Sequence, residues 1–276
     1  MAKDPTASSG KRCWLPVDAD TSLLALDASA TPGFPGEEAS AREQTEVLRT
    51  ELVDLQAKLY AESRQRLLVV LQAMDTGGKD GVIRKVFSGV NPLGVKVARF
   101  ERPTEAELSR DYLWRVHPHV PANGEIVIFN RSHYEDVLVV RVNALVPQAR
   151  WKMRYDHIRD FERMLADEGT TIVKFYLHID RDEQARRLQA RLDDPQRQWK
   201  FDPHDLEQRK HWNAYMQAFH DAIVETDRKR APWYTIPANR KWYRDWAVMN
   251  ILVRTLRDMN PRFPAPTIDP ATITIT

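Results

Sequence analysis

The stretch LLVVLQAMDTGGKDGVIRKVF, Leu67 to Phe87, sets Gly77, Gly78 and Lys79 between an apolar run and an amphipathic one. A strand that turns through glycines into a helix leaves backbone N–H groups unpaired at the positive end of a helix dipole, the parts of an anion site. Glycines let the backbone close around phosphate oxygens without a Cβ in the way, and Lys79 adds a mobile point charge. Against the phosphate-loop pattern G-x-x-x-x-G-K-[ST], Gly78 and Lys79 match. Ala73 replaces the first glycine and Asp80 the final hydroxyl residue. A plain strand-turn-helix connection would use the same glycines. Asp75 is harder to explain that way, because a carboxylate in an anion nest repels the ligand. It makes sense beside a divalent cation, or as the acceptor of a proton from an attacking group. With Asp80 where a magnesium-binding hydroxyl usually stands, an altered metal geometry is expected.

A second cluster, IVIFNRSHYEDVLVVRV, follows a later apolar run. In enzymes with such loops an acidic residue at this strand end holds magnesium. Here Asn130 stands there and supplies no charge. Arg131 can clamp a phosphoryl group with two parallel hydrogen bonds. Glu135 and Asp136 suit a helix start on dipole grounds alone, and beside Asp75 and Lys79 they also suit a site. His133 is a general-base candidate or a structural histidine of a polar loop. Farther on, residues 181–210 carry eight basic and seven acidic side chains, so this is no polybasic tail. Arg187 and Arg191 share a helix face with Glu183. They form either a solvated, ion-paired face or a lid that brings arginines over phosphates and excludes water. Trp199, Trp212, Tyr215 and Trp233 could stack on a base or fill a core.

The elements that position these residues alternate. Leu48, Leu52, Leu55 and Leu59 put an apolar stripe on a helix running from Ala41 to about Arg66, facing its own domain or a second subunit. Strands are expected at Leu67–Leu71, Val95–Phe100, Gly124–Phe129, Thr171–Ile179 and Trp233–Ala238. Helices are expected at Lys79–Ser88, from Thr104 through His117 (opened by a capping-box spacing to Glu107), Tyr134–Val142, Asp156–Asp167, Arg181–Leu192, Asp205–Thr226 and Lys241–Met259. Strands alternating with helices predict a parallel sheet covered on both faces. The simplest organisation is an irregular arm over residues 1–40, then one α/β domain over 41–276 with an insertion at about 181–210.

The composition of the 276 residues, 42% hydrophobic and 29% charged, is ordinary for a globular protein. A net charge of +2 gives no global field toward nucleic acid or an anionic membrane. One cysteine, Cys13, excludes an intramolecular disulfide and a cysteine-rich metal cluster. No apolar run approaches the roughly 20 residues that span a bilayer, and the first residues lack an apolar signal core, so a cytoplasmic protein is expected.

Together, MDTGGKDGVI, NPLGVKV, FERPTEAELSRDYLWRVHPHVPANGEIVIFNRSHYEDVLVVRV, DEQARRLQARLDDPQRQWKF and APWYTIPANRKWYR resemble the polyphosphate kinase 2 family over most of Leu67–Arg257. The resemblance implies a three-layer α/β/α P-loop kinase-like core with a parallel five-stranded sheet and a helical lid. It implies reversible phosphate transfer between inorganic polyphosphate and nucleotides with Mg2+ or Mn2+, and a homodimer or homotetramer. Asp75, Lys79 and Arg131 match the family's loop aspartate, loop lysine and post-strand arginine. Many members carry aspartate where this chain has Asn130. FNRSHYED is similar to the class III subgroup, which phosphorylates mono- and diphosphates. That points to Asp136 as the second metal-holding acid beside Asp75, and to Asn130 and Glu135 on the acceptor side. Arg187, Arg191 and Lys200 fall on the lid motif. On this reading Gly77, Gly78, Lys79 and Asp80 bind the phosphate in transfer, and Arg84 and Lys85 join the lid residues in lining a polymer channel. The acceptors are ADP and AMP, with GDP and GMP as further candidates. An ATP-dependent kinase of the same fold, or a non-catalytic polyanion binder, are the competing readings; Asp75 counts against the binder.

Overall fold

The computed structural model describes residues 12–269 and 272–275. The rest of the expected arm, residues 1–11, lies outside the described residues. Strand β1 (Arg66–Gln72) is buried along six of its seven positions, as a strand covered on both faces must be. It lies at the centre of a five-stranded sheet with β2 (Val95–Arg99), β3 (Ile126–Asn130), β4 (Thr170–His178) and β5 (Trp233–Pro237), in the order β2-β3-β1-β4-β5. All four pairings are parallel. Leu71 stands opposite Asn130 and Gln72 opposite Tyr176, so the carboxyl ends of β1, β3 and β4 open at one edge. In open parallel sheets that edge is where ligands bind.

Helix α1 (Glu38–Glu62) packs on α9 (Lys241–Met259), and α2 (Lys79–Val86) packs on α9 as well. The leucine stripe is spent there: Leu52 and Leu59 are fully buried and Leu48 and Leu55 partly so. A second helical group joins α4 (Val139–Val142), α5 (Gln148–Asp167) and α8 (Trp212–Thr226). The remaining helices are α3 (Glu105–Leu108), α6 (Arg181–Leu192) and α7 (Pro203–Lys210). The segment ahead of α1 is largely irregular but seated: Cys13, Leu23 and Phe34 are buried, and the carbonyls of Cys13 and Pro32 share the one hydroxyl proton of Tyr243, at 2.9 and 2.7 Å.

Several elements depart from the expected pattern. The Thr104 capping box forms, yet the helix stops at Leu108. The Asp111 carboxylate accepts from Leu113 and Trp114 N–H, both at 3.0 Å, which turns the backbone out of the helix. The helix expected over Tyr134–Val142 breaks into a 3₁₀ turn at His133–Asp136 and the short α4. Arg154 takes the Asp136 carbonyl at 2.9 Å, an acceptor that a continuous helix would need. Helix α5 begins at Gln148, before the expected Asp156. The helix expected over Asp205–Thr226 is two, α7 and α8, meeting at His211. The buried positions Asp205, Gln208, Trp212 and Tyr215 keep helical spacing across the break, so periodicity could not reveal it.

Candidate active site

The loop between β1 and α2 is held by its own backbone. Gly77 N–H bonds Met74 O at 2.9 Å, and a Cβ on Gly77 would stand 2.5 Å from Ala73 Cβ and 2.8 Å from Met74 O. Gly78 caps α2 at φ +105°, a left-handed conformation that costs other residues about 1–2 kcal/mol. Thr76 (φ 62°) and Arg131 (φ 62°) hold the same region without being glycine. Strain of this kind persists where the surroundings over-determine it, and it collects at functional sites.

Lys79 is 9% exposed and donates to Ala73 O at 2.9 Å. Burial, then Arg131, pushes its ammonium below the usual lysine range, against the pull of Asp75, Glu135 and Asp80. Arg131 follows β3, with its N–H on Leu71 O at 3.2 Å, and its guanidinium pairs with Asp75 at 2.6 Å. Burial opposes its charge, but Glu135 and Asp75 outweigh that and hold it above the ordinary value. Glu135 itself is raised, by burial first, against Arg131 and Lys79. Gln72, buried at the end of β1, bridges this group: its amide donates to Glu135 at 3.0 Å and accepts from Ser132 at 3.0 Å. Asn130 donates to Asp80 at 2.8 Å. Two aspartates there would repel; the amide instead orients Asp80.

Asp136 is a correction. It does not line the cleft that holds the glycine loop, and its carboxylate pairs with Arg154 at 2.8 Å. Burial, partly opposed by Arg154, raises it to about 6. Of the two readings of His133, the structure favours the structural one. His133 is 1% exposed, with Nε2 3.3 Å from Glu162. Glu162 also accepts from Lys174 at 2.6 Å and from the Tyr134 hydroxyl at 2.8 Å. Tyr134 in turn reaches Thr226 at 2.9 Å, a buried polar network that fastens the turn after β3 behind the site.

The loop opens into a cleft of about 1200 Å³. Twelve basic and six acidic side chains line it, a local excess that the chain's net +2 conceals. Arg84 and Lys85 are exposed within it, and so is Lys200, which lies 4.9 Å over the Trp199 ring. Arg191 pairs with Asp205 at 3.2 Å. Arg187 is committed to the protein: it donates to Glu183 (2.7 Å), Thr76 O (3.0 Å), Ala238 O (2.6 Å) and Asn239 O (3.1 Å), bracing the loop against α6 and the turn after β5. Of the four aromatics, Trp212, Tyr215 and Trp233 are core, whereas Trp199 is 77% exposed in the cleft.

Two residues escaped the sequence reading. Asp205 of α7 faces the loop; burial, then the charge of Asp75, raises its carboxyl to about 6. Arg244 of α9 lies against Gly78 and Gly81. Arg244 closes the quoted WYR motif, but no local pattern says that a helix 165 residues after Lys79 returns to the loop.

Among the described residues no three His, Cys, Asp or Glu side chains gather to hold an ion. Magnesium does not require that, since one or two carboxylates, waters and substrate phosphates suffice. Asp75, partly exposed at the loop and pressed by Asp205, fits such a role; Asp136 does not.

A parallel sheet, a strand-to-helix phosphate loop and a basic cleft at the strands' carboxyl edge define a P-loop phosphotransferase. The family profile described as Polyphosphate kinase 2 (PPK2) matches residues 36–264, and the chain belongs to that family. It is 60% identical over 244 residues to the AMP/ADP-polyphosphate phosphotransferase of Meiothermus ruber, covering 88% of this chain and 91% of that one. It is 42% identical over 237 residues to the ADP-polyphosphate phosphotransferase of Rhodopseudomonas palustris, covering 80% and 82%. The crystal structure of polyphosphate kinase 2 from Arthrobacter aurescens TC1 superposes with a TM-score of 0.90 at 40% identity, covering 98% and 95%. No helix among the described residues is long and apolar enough to cross a membrane.

Proposed function

We propose that this chain transfers the terminal phosphoryl group of inorganic polyphosphate to ADP and to AMP, reversibly. One observation carries the reading: a cleft with twelve basic side chains ends on a glycine loop that itself holds a carboxylate, Asp75. That carboxylate both fixes Arg131 and can meet a divalent cation, and the second is a use that phosphoryl transfer has and simple anion binding lacks.

Phosphoryl transfer leaves little covalent chemistry to the protein, so positioning and charge stabilisation do the catalysis. Gly77, Gly78 and Lys79 hold the group in transfer. Arg131, fixed by its strained backbone and by Asp75, stabilises charge on the equatorial oxygens. Arg84, Lys85, Arg191 and Lys200 run the polymer along the cleft, and Arg187 keeps the loop in shape. Residues 181–210 close over the substrates as a lid. Asn130 orients Asp80, Glu135 sets the charge beside Arg131 on the acceptor side, and the exposed Trp199 ring receives the base. Asp75, with Asp205 near it, would hold Mg2+ or Mn2+, which neutralises phosphate charge when bound.

The test supplies polyphosphate, a divalent cation and either ADP or AMP, with no ATP. ATP from ADP, and ADP from AMP, are expected. Product formed only when a nucleoside triphosphate is added would assign the site to an ATP-dependent kinase.

A further inference from the structure

Helix α9 begins beside the glycine loop, and its first turns carry Lys241 and Arg244. Arg244 is 3% exposed, and its Nε and Nη2 both donate to one oxygen of Asp245, at 2.9 and 2.6 Å. Its Nη1 has no protein acceptor among the described residues. That nitrogen lies 2.0 Å from where a Cβ on Gly78 would stand, and Nη2 lies 3.1 Å from the corresponding point on Gly81. The first turn of α2 thus leaves out two side chains where a guanidinium enters.

The neighbourhood is cationic. Arg187 Nη1 is 3.7 Å from the same Gly78 point. Lys241, another lining residue, is pushed down by burial and then by Arg187 and Arg244. Arg187 has spent most of its donors on carbonyls. Arg244 has not. Pairing with Asp245 alone would not need a free Nη1 aimed at the mouth of an anion nest. An arginine oriented by a neighbouring carboxylate, with one donor edge open, is built to bind an oxyanion.

We propose that Arg244 grips the polyphosphate chain bound at the glycine loop, as a substrate-binding residue supplied by the last helix. This rests on the functional reading above and names a contact outside the loop, the segment after β3 and residues 181–210.

The test compares wild type, Arg244→Lys and the double variant Arg244→Gln/Asp245→Asn. The double variant removes both charges together, so no carboxylate is left unpaired in the core. With the fold retained by circular dichroism and thermal melting, the KM for polyphosphate should rise ~10- to 100-fold, the worth of one charge-assisted hydrogen bond. The KM for ADP should stay within about threefold of wild type. The slope of log KM for polyphosphate against log salt should fall by about one. Arg244→Lys keeps the charge and the pairing with Asp245 but loses the fork. It should fold and show the same substrate split at smaller size, and it carries the test if the double variant does not fold. Unchanged KM for polyphosphate in a folded variant overturns the proposal, as does an equal rise for both substrates or a rise for ADP alone. If wild type makes no ATP from ADP and polyphosphate, the functional reading fails instead.

Discussion

Lys79→Met separates stability from catalysis, because the wild-type ammonium is costly to keep. Lys79 is 9% exposed, its one hydrogen bond goes to a neutral carbonyl at 2.9 Å, and burial is the first cause of its lowered pKa. Moving an unpaired ammonium out of water costs several kcal/mol, and a hydrogen bond to a charged group returns about 1.5–3 kcal/mol. Methionine matches the length without the charge; the buried Ala73 carbonyl it leaves without that donor costs about 1–3 kcal/mol, less than the burial of the ammonium. The variant should therefore melt at or above the wild-type temperature. The sign with pH follows from the lowered pKa. Charged Lys79 penalises the folded state at low and neutral pH, and the penalty fades as pH climbs through the folded value toward 10.5. The gain from methionine should be greatest at neutral and acid pH and shrink in alkali. Turnover should move the other way. Removing one preorganised donor from a charge-stabilising site costs about 3–4 kcal/mol, or 10²- to 10³-fold in kcat. The assay is ATP formed from ADP and polyphosphate, paired with urea unfolding across pH. A variant that is much less stable, or that turns over within tenfold of wild type, would show the lysine to be a structural post.

Asp136→Asn should leave turnover within about tenfold, because Asp136 pairs with Arg154 outside the cleft. With its folded pKa at about 6 against 3.8, Asp136 favours the folded state when protonated, so wild-type stability drops as pH rises from about 4 to 6. The asparagine variant should flatten that drop, measured by urea unfolding at several pH values; a large loss of kcat would restore Asp136 to the site. Asn130→Asp puts a carboxylate within 2.8 Å of Asp80, so melting should fall at neutral pH and recover with added Mg2+ more than wild type does; an identical Mg2+ response would separate this pair from any cation. Trp199→Ala should raise the KM for ADP and AMP roughly 5- to 100-fold, the worth of one stacked base, with the KM for polyphosphate unchanged. Equal effects on both substrates would make Trp199 a general lid contact.

The loop was legible because its chemistry is local: strand, glycines and lysine lie within one stretch, and the parallel topology brings Asn130 and Arg131 beside it. The strands were legible as short apolar runs and α9 by its long apolar period, whereas α6 was legible only as a charged amphipathic run, Leu188 being its one buried hydrophobic side chain. What misled was any residue whose partner lies elsewhere in the chain. Asp136 reads as a site carboxylate until Arg154, 18 residues on, takes both its carbonyl and its carboxylate. Arg187 reads as a free phosphate ligand until Thr76, Ala238 and Asn239 absorb its donors. Asp205 lies in no motif, and the motif that Arg244 closes says nothing of the loop; only the folded chain sets them there.

The same geometry explains why a site for a polyanion keeps six acidic side chains. Arg131 rests on Asp75, Arg191 on Asp205 and Arg244 on Asp245, so the cations the substrate needs are held in place before it arrives. Twelve unpaired cations would bind polyphosphate more tightly, but equally before and during transfer, and uniform tightening does not raise kcat. A chain that must be gripped, shortened by one unit and released is served by arginines whose resting partners compete for them. On the proposed function, the carboxylates in the cleft would weaken ground-state binding and orient the charge, and Asp75, standing inside the loop itself, would be where that exchange meets the phosphoryl group in transfer.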